Sequence, residues 1–398
     1  MELSYRTAGE SHGPCVIALV EGMPAGVPVD AELINAELAR RQGGYGRGAR
    51  QRIEEDTIEI LSGVRLGRTI GSPITLRIAN RDSRLDDVER TPPVHRPRPG
   101  HADLAGSIKW LTNDCRATLE RASARETAAR TAAGALARSL LRPFGIDAFG
   151  FVRGALDAMW DGAPRPHDLD ALRAARDASE VHCPDPATDA RIAAHIRAAK
   201  ESKDTVGGLC EVHVFGVMPG LGSCVSADQK LDARLAAAVM GIQAFKSVEV
   251  GLGKDVAARM GSAVHDPIGF DPARTDEPHL GYVRPTNNAG GLEGGMTNGM
   301  PIVVRGAMKP ISTLLRGLPS VDLRTGEAVT SQYERSDICA VAAASVVMEN
   351  VVAFEVARAL RAKFGGDSLD EMSANVRSYL SAARALTSSW RASAPGRA

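Results

Sequence analysis

The chain has 398 residues, 44% of them hydrophobic and 24% charged, which is enough apolar surface to bury a core and excludes a disordered chain. Lys and Arg total 48, as do Asp and Glu, and that balance argues against a generally basic nucleic-acid binder or a polybasic membrane protein. Six scattered Cys with no Cys-x-x-Cys pair argue against a thiolate metal site and fit reduced thiols, and no apolar run approaches the ~18–20 residues that span a bilayer. The start, Met1 to Arg6, lacks the charged-then-apolar order of a signal peptide. The expected location is cytoplasmic. Of the basic residues 40 are Arg and 8 are Lys, a bias toward two-pronged binding of carboxylates and phosphates.

Strand-like runs are expected at Val16–Val20, Thr57–Leu61, Ile74–Ile78, Cys210–Phe215 and Ile302–Arg305. A long helical pattern covers Thr118–Leu141, stopped by Pro143 and Gly145. Residues 155–200 are Arg/Asp/Ala-rich, amphipathic and read as a peripheral insert. A second long helix covers Ile338–Phe364, with Ser336 or Asp337 as the expected N-cap and Gly365-Gly366 as the stop. From about Thr387 to the end the composition is that of a mobile tail. One repeat can be counted: Gly63, Gly67, Gly71, Pro73, Ile74 and Arg77 recur 228 residues later as Gly291, Gly295, Gly299, Pro301, Ile302 and Arg305. A weaker echo links Met23-Pro24 and Asp30-x2-Leu33 to Met218-Pro219 and Asp228-x2-Leu231. The domain reading is therefore one unit over 1–386, made of two similar halves near 1–150 and 205–365.

Chemistry concentrates in six segments. Gly9-Glu10-Ser11-His12-Gly13 places a His in a Gly-bounded turn that a ligand can approach. Arg40 to Arg52 holds five Arg, four Gly and no acid, a composition able to fold around an anion, yet it fits neither the Rossmann nor the P-loop pattern. Arg96-Pro97-Arg98-Pro99-Gly100-His101-Ala102-Asp103 is stiffened by its prolines. Arg121 and Arg125, read as i,i+4 neighbours on the long helix, repel unless an anion bridges them. Asn287 to Gly299, followed by Lys309-Pro310-Ile311-Ser312-Thr313, reads as an amide and hydroxyl cradle for a phosphate. Glu334-Arg335-Ser336-Asp337 stands at the head of the last long helix, where a helix cap is the plainer role for Asp337. Each motif alone also fits an ordinary turn, linker or solvated basic loop. Together they suit a polyanionic small molecule and a phosphate-bearing cofactor, with His as proton donors and no metal.

Gly9–Gly13, Gly44–Arg50, Arg96–Asp103, Arg121–Arg130 and Arg335-Ser336-Asp337, in this order, resemble the signatures of the chorismate synthase family, across residues 7 to about 350. The resemblance implies an α/β (α+β) fold: a β-α-β sandwich with a central layer of long helices between two antiparallel sheets, an internal pseudo-two-fold repeat and a homotetramer. It implies a lyase of the shikimate pathway and aromatic amino acid biosynthesis, converting 5-enolpyruvylshikimate 3-phosphate to chorismate by anti 1,4-elimination of phosphate, with reduced FMN required and no net redox change. By matching motif, His12 would protonate the departing phosphate and His101 the flavin, while Asp337, Ser11 and Ser123 would relay a proton. Arg41, Arg47, Arg50, Arg98, Arg125 and Arg335 would hold substrate anions. Arg121, Ala122, Ser123, Gln243, Ala244, Gly294, Lys309, Pro310, Ile311, Ser312, Thr313 and Arg335 would contact the flavin. NADPH would enter only as an indirect reductant, through an external flavin reductase. Two other readings use the same residues: an FMN-dependent oxidoreductase consuming reductant stoichiometrically, and an RNA- or anion-binding module built on the Arg-Gly loop.

Overall fold

In this computed structural model the described residues are 2–48, 55–331, 334 and 337–393. The chain opens as a hairpin, β1 (Ser4–Gly9) and β2 (Cys15–Glu21), with Val16, Ala18 and Val20 alternating inward at the strand period. Helix α1 (Ala31–Gln42) starts where the Asp30 carboxylate accepts the Leu33 N–H at 2.8 Å. Then come β3 (Ile58–Ile60), a small hairpin of β4 (Val64–Arg65) and β5 (Arg68–Thr69), and β6 (Ile74–Ala79). The first sheet is antiparallel in the order β1-β2-β6-β3.

Three helices follow: α2 (Asp103–Trp110), α3 (Arg116–Ala122) and α4 (Thr127–Leu141). The single helix expected over 118–141 is thus broken. Ser123 is extended (φ −64°, ψ 145°) and its hydroxyl accepts the Arg125 N–H, an alternative to the helical ladder that serine offers the backbone. Arg121 and Arg125 therefore do not share a helix face.

The chain continues through β7 (Asp147–Ala155), β8 (Ala158–Met159), α5 (Leu169–Ala178), α6 (Pro186–Glu201), β9 (Gly208–Phe215), α7 (Leu231–Met240) and β10 (Phe245–Val250). Short pairs follow, β11 (Gly269–Phe270) with β12 (Tyr282–Val283) and β13 (Leu292–Glu293) with β14 (Met296–Thr297), then β15 (Ile302–Met308) and the pair β16 (Pro319–Val321) with β17 (Ala328–Thr330). Helices α8 (Val341–Phe364) and α9 (Leu369–Ser393) end the described chain, so residues 387–393 continue a helix despite their turn-forming composition. Helix α8 starts three residues later than expected. Its cap position is Ala340, with no side-chain cap, and Asp337 is engaged elsewhere. The second sheet is antiparallel in the order β10-β15-β9-β7-β8.

Helix α4 packs on β2 and β6 of the first sheet, α8 on β7 and β9 of the second, and the two helices pack on each other. Small residues allow this: a side chain at Gly134 of α4 would lie 2.2 Å from the Asn350 carbonyl of α8. Nearly every residue of α8 is buried, which explains its all-round apolar composition. The class is mixed α+β. Residues 155–200, peripheral by sequence, place Val181, Cys183, Ile192 and Ile196 in the main core.

The counted repeat falls on matching structure. Gly63, Gly67 and Gly71 and their counterparts Gly291, Gly295 and Gly299 all have φ between 72° and 89°, bounding β4–β5 and β13–β14 alike. Across the first sheet Ile60, Leu76, Ala18 and Thr7 lie in one row; across the second, Val250, Val304, Val212 and Gly150 lie in the equivalent row. Strands β1, β7 and β10 were not expected, because their sequences lack clean alternation: β1 carries Arg6 and Thr7, β7 two glycines, and β10 an exposed Lys246-Ser247 edge.

Candidate active site

The turn between β1 and β2 carries Ser11 and His12. Asn80, just past β6, holds the turn from below by donating its amide N–H to the Glu10 and Gly13 carbonyls at 3.0 and 2.7 Å. His12 is held from the side by Glu120 of α3: its main-chain N–H donates to Oε2 at 2.9 Å, and Nδ1 lies 2.8 Å from Oε1. Glu120 is 1% exposed. Burial pushes its carboxyl up, but the His12 hydrogen bonds and the charges of His12 and Arg116 outweigh burial and leave it below the ordinary range. With Nδ1 fixed, Nε2 is the outward nitrogen, 3.3 Å from Arg84 Nη2 and 3.8 Å from Asp82 Oδ2. The break at Ser123 brings its hydroxyl to the Ser11 hydroxyl at 3.1 Å. Arg121 turns the other way and donates to the Gly9 and Thr7 carbonyls, and Ala122 lies between them, half-buried.

Beside this turn a second cluster forms around Asp56, which is 3% exposed. Its carboxylate takes Arg125 Nη1 at 2.6 Å and Arg41 Nη1 at 3.3 Å. Arg125 also donates to Asn80 and the Ala79 carbonyl; Arg41 donates to Thr127 and the Ala124 carbonyl. Two guanidinium groups on one carboxylate keep a net positive charge in a buried place, and burial pushes Arg41 down to about 10. Arg47 pairs with Asp337 at 2.6 Å, and the Gly48 N–H donates to the other Asp337 oxygen at 2.6 Å. Asp337 thus ties the Arg-Gly loop to the segment before α8. Arg50 and Arg335 lie outside the described residues.

The third cluster joins Arg96–Asp103 to Lys309–Thr313. Asp103, fully buried at the start of α2, accepts Arg98 Nε at 2.8 Å, Arg98 Nη2 at 3.0 Å and the His101 Nδ1 hydrogen bond. Burial raises the Asp103 carboxyl, and these partners more than reverse that. Arg98 Nη1 reaches the Thr313 hydroxyl at 3.2 Å. A side chain at Gly100 would come within 3.7 Å of Lys309 Nζ and Ser312. The Lys309 N–H donates to the Ala244 carbonyl, and Gln243 donates to Glu126 Oε2 at 2.9 Å. The Ile311 carbonyl accepts the Thr205 hydroxyl next to Pro310. Among the described residues no carboxylate pairs with the Lys309 ammonium, which burial and neighbouring Lys246 push below its ordinary value.

One expectation needs correcting. The amides of Asn288 and Ala289 are taken by the Asp266 carboxylate and that of Gly291 by the Asn287 side chain, so the stretch 287–291 is a self-satisfied turn rather than an open phosphate cradle. Gly294 sits at the β13–β14 turn with only Met296 beside it. Two cavities of about 410 and 340 Å³ contain neither His12, His101 nor the clustered arginines. Sequence reasoning missed Glu120, Asp56, Asn80 and Arg84, and gave Asp103 no role. Apart from Asp103, which stands inside the Arg96–Asp103 motif, each lies far along the chain from its partner or carries no local motif. The signal available was the excess of arginine, which required nearby carboxylates.

Residues 3–360 match the family model described as chorismate synthase. The chorismate synthase of Symbiobacterium thermophilum is 52% identical over 394 residues, covering 95% of this chain and 98% of that protein. That of Pelobacter propionicus is 53% identical over 396 residues, covering 96% and 100%. A solved structure, titled as the crystal structure of chorismate synthase, superposes with a TM-score of 0.78 at 40% identity, covering 97% of this chain and 99% of its own.

Proposed function

The chain belongs to the chorismate synthase family, carbon–oxygen lyases acting on a phosphate, and we propose that it eliminates phosphate from 5-enolpyruvylshikimate 3-phosphate in the anti 1,4 sense to give chorismate, with reduced FMN bound and no net redox change. The observation that carries this reading is that both candidate histidines are held on buried carboxylates, His12 on Glu120 and His101 on Asp103, beside guanidinium groups. That is the arrangement needed to deliver protons to an anion rather than to bind one passively.

The residues present fit a phosphate-bearing flavin. Among the described residues Lys309 is a cation without a carboxylate that stands with Ser312 around Gly100, and Gln243 Oε1 is buried without a hydrogen-bond partner. Lys309 to Thr313, Gln243-Ala244, Arg121 to Ser123, Gly294 and Arg335 would hold it. When bound, reduced FMN supplies the transient electron density that lets phosphate leave although no carbonyl acidifies the C6 hydrogen. His12 presents Nε2 to the leaving phosphate, with Glu120 stabilising the protonated ring and Arg84 adjacent to offset the phosphate charge. His101, steadied by Asp103, serves the flavin side. Ser11, Ser123 and Asp337 form the proton relay, of which the Ser11–Ser123 contact at 3.1 Å is one link. Arg47, Arg50, Arg98 and Arg335 meet the substrate carboxylates and phosphate, and Arg41 and Arg125 add the positive charge held around Asp56.

We also infer the layered, duplicated architecture: two sheets enclosing a helical layer, two halves related by a pseudo-two-fold axis. The reciprocal loop contacts support it. The loop after α1 rests on the start of α8, where Ile338 donates to the Gly46 carbonyl, and the loop after α7 rests on the start of α4, where Gln243 donates to Glu126. A cytoplasmic homotetramer that draws on an external reductase, with NADPH as the distant electron source, completes the reading. The test is anaerobic phosphate release from the enolpyruvyl substrate with and without photoreduced FMN. Release that needs reduced FMN only in catalytic amount supports the elimination. Stoichiometric consumption of reductant would make the chain an oxidoreductase, and no release at all would end the reading.

A further inference from the structure

The Arg-Gly loop contains Gly43, Gly44, Gly46 and Gly48, a composition that by itself favours many conformations. It is nevertheless pinned on two sides. Toward α8, the Gly46 carbonyl accepts the Ile338 N–H at 2.8 Å, and Gly44 lies so close to Ala342 that a side chain there would come within 2.5 Å of its Cβ. On the other side stands the connection between β7 and β9. The Tyr45 N–H donates to the Glu180 carbonyl at 2.7 Å, and Ile196 closes on Gly46. His182 reaches over Gly43 and donates from Nδ1 to the Ala342 carbonyl at 3.1 Å, and burial pushes its ring down to about 4. Deeper down, Arg176 of α5 donates to Glu349 of α8 at 3.3 Å, and Glu349 takes Arg40 at 2.6 Å, one residue before Arg41.

We propose that residues 176–196 are a brace whose function is to position the Arg-Gly loop, with Glu180, His182 and Ile196 as positioning residues that never touch the substrate. Ordering a free backbone on binding costs conformational entropy, so a free loop of this kind would surrender much of its anion affinity. The brace meets that cost during folding, leaving Arg47 on Asp337 and Arg41 on Asp56 already in place. The inference rests on the proposed reaction for its kinetic consequence and on the contacts alone for its structural one.

The test uses the full chain with three variants. Ile196→Ala removes buried contact with the loop, Ile196→Val should restore it, and His182→Leu removes the donor to the Ala342 carbonyl. Hydrogen–deuterium exchange of amides 43–48 should speed by about tenfold in Ile196→Ala and less in His182→Leu, and stay near wild type in Ile196→Val. KM for 5-enolpyruvylshikimate 3-phosphate should rise by about three- to tenfold in Ile196→Ala with kcat within about twofold. Unchanged exchange at 43–48 in both Ile196→Ala and His182→Leu overturns the brace, as does a loss confined to kcat. Should exchange respond while the wild-type chain releases no phosphate from this substrate, the reaction fails and the brace stands.

Discussion

Strands β1, β2, β6 and β3 pair in the same order as β7, β9, β15 and β10, yet the connections between them differ in length and in work. Between β1 and β2 the chain spends only Glu10–Pro14, and that turn carries His12. Between β7 and β9, the equivalent place in the second half, it spends 156–207, and that stretch braces a loop. The loop that starts at Gly43 after α1 carries Arg47; its counterpart after α7 is only 241–244 and carries Gln243. On this matched strand order the chemistry is placed asymmetrically. The first half holds His12, His101 and most of the arginines proposed to face the substrate. The rest of the chain holds Arg335, Asp337, Lys309 and Thr313, together with the surfaces that brace the Arg-Gly loop.

If that division is right, the largest effect belongs to the shortest connection. His12→Ala should lower turnover by about 10²–10⁴ while FMN titrates normally, as read by phosphate release and flavin fluorescence. Next is Asp56→Ala, which removes the buried carboxylate that Arg41 and Arg125 share. Loss of one partner of a buried ionic cluster costs about 3–5 kcal/mol, so the denaturant midpoint should fall steeply and activity with it. Asp56 belongs to the platform as much as to the site, so stability rather than kcat alone should move.

Glu120→Gln separates the two roles more finely. The amide keeps the shape but not the charge behind His12, so kcat should drop by about ten- to a hundredfold with KM nearly unchanged. Because the Glu120 carboxyl in the folded chain sits below its ordinary 4.5, its stabilisation is complete above that value and is lost as pH falls through the folded one. The stability gap between wild type and variant should therefore be widest at neutral pH and close in acid, followed by denaturant midpoints across that range. A gap that widened in acid would mean that His12 does not hold Glu120 ionised.

What the sequence disclosed follows the same division. Periodicity found β2, β6, β9 and β15 because their inward faces are Val, Ile and Leu, and spacing found the repeated Gly-Pro-Ile-Arg frame because glycines at positive φ cannot be replaced cheaply. It did not find the break at Ser123, since one extended residue inside a helical pattern carries no periodic signature. Nor did it foresee that Asp56, Glu120 and Asp103 would meet arginines and histidines, most of them distant in the chain. The motifs located the cations; only folding showed which carboxylates hold them. Residues 155–200 were read as peripheral because Arg, Asp and Ala dominate them, although Arg176 proves buried on Glu349 and Gly150.

The smallest expected effect bears most directly on the symmetry. Thr69 and Thr297 occupy the same place in the two hairpins. Thr69 accepts the Val27 N–H at 3.0 Å and donates to the Pro24 carbonyl, and Thr297 accepts the Leu221 N–H at 2.8 Å and donates to the Met218 carbonyl at 2.7 Å. Each is nearly fully buried, so replacement by Val leaves one N–H and one carbonyl unsatisfied and should cost about 1–3 kcal/mol. If the halves are equivalent platforms, Thr69→Val and Thr297→Val should cost the same within about 0.5 kcal/mol and add in the double variant, since separate sites without shared partners are additive. Neither should change KM once stability is restored by working at lower temperature. A markedly unequal pair of costs would show that the second hairpin, whose turn holds Gly294, has been given work that the first lacks, and the asymmetry would then reach below the connections into the frame itself.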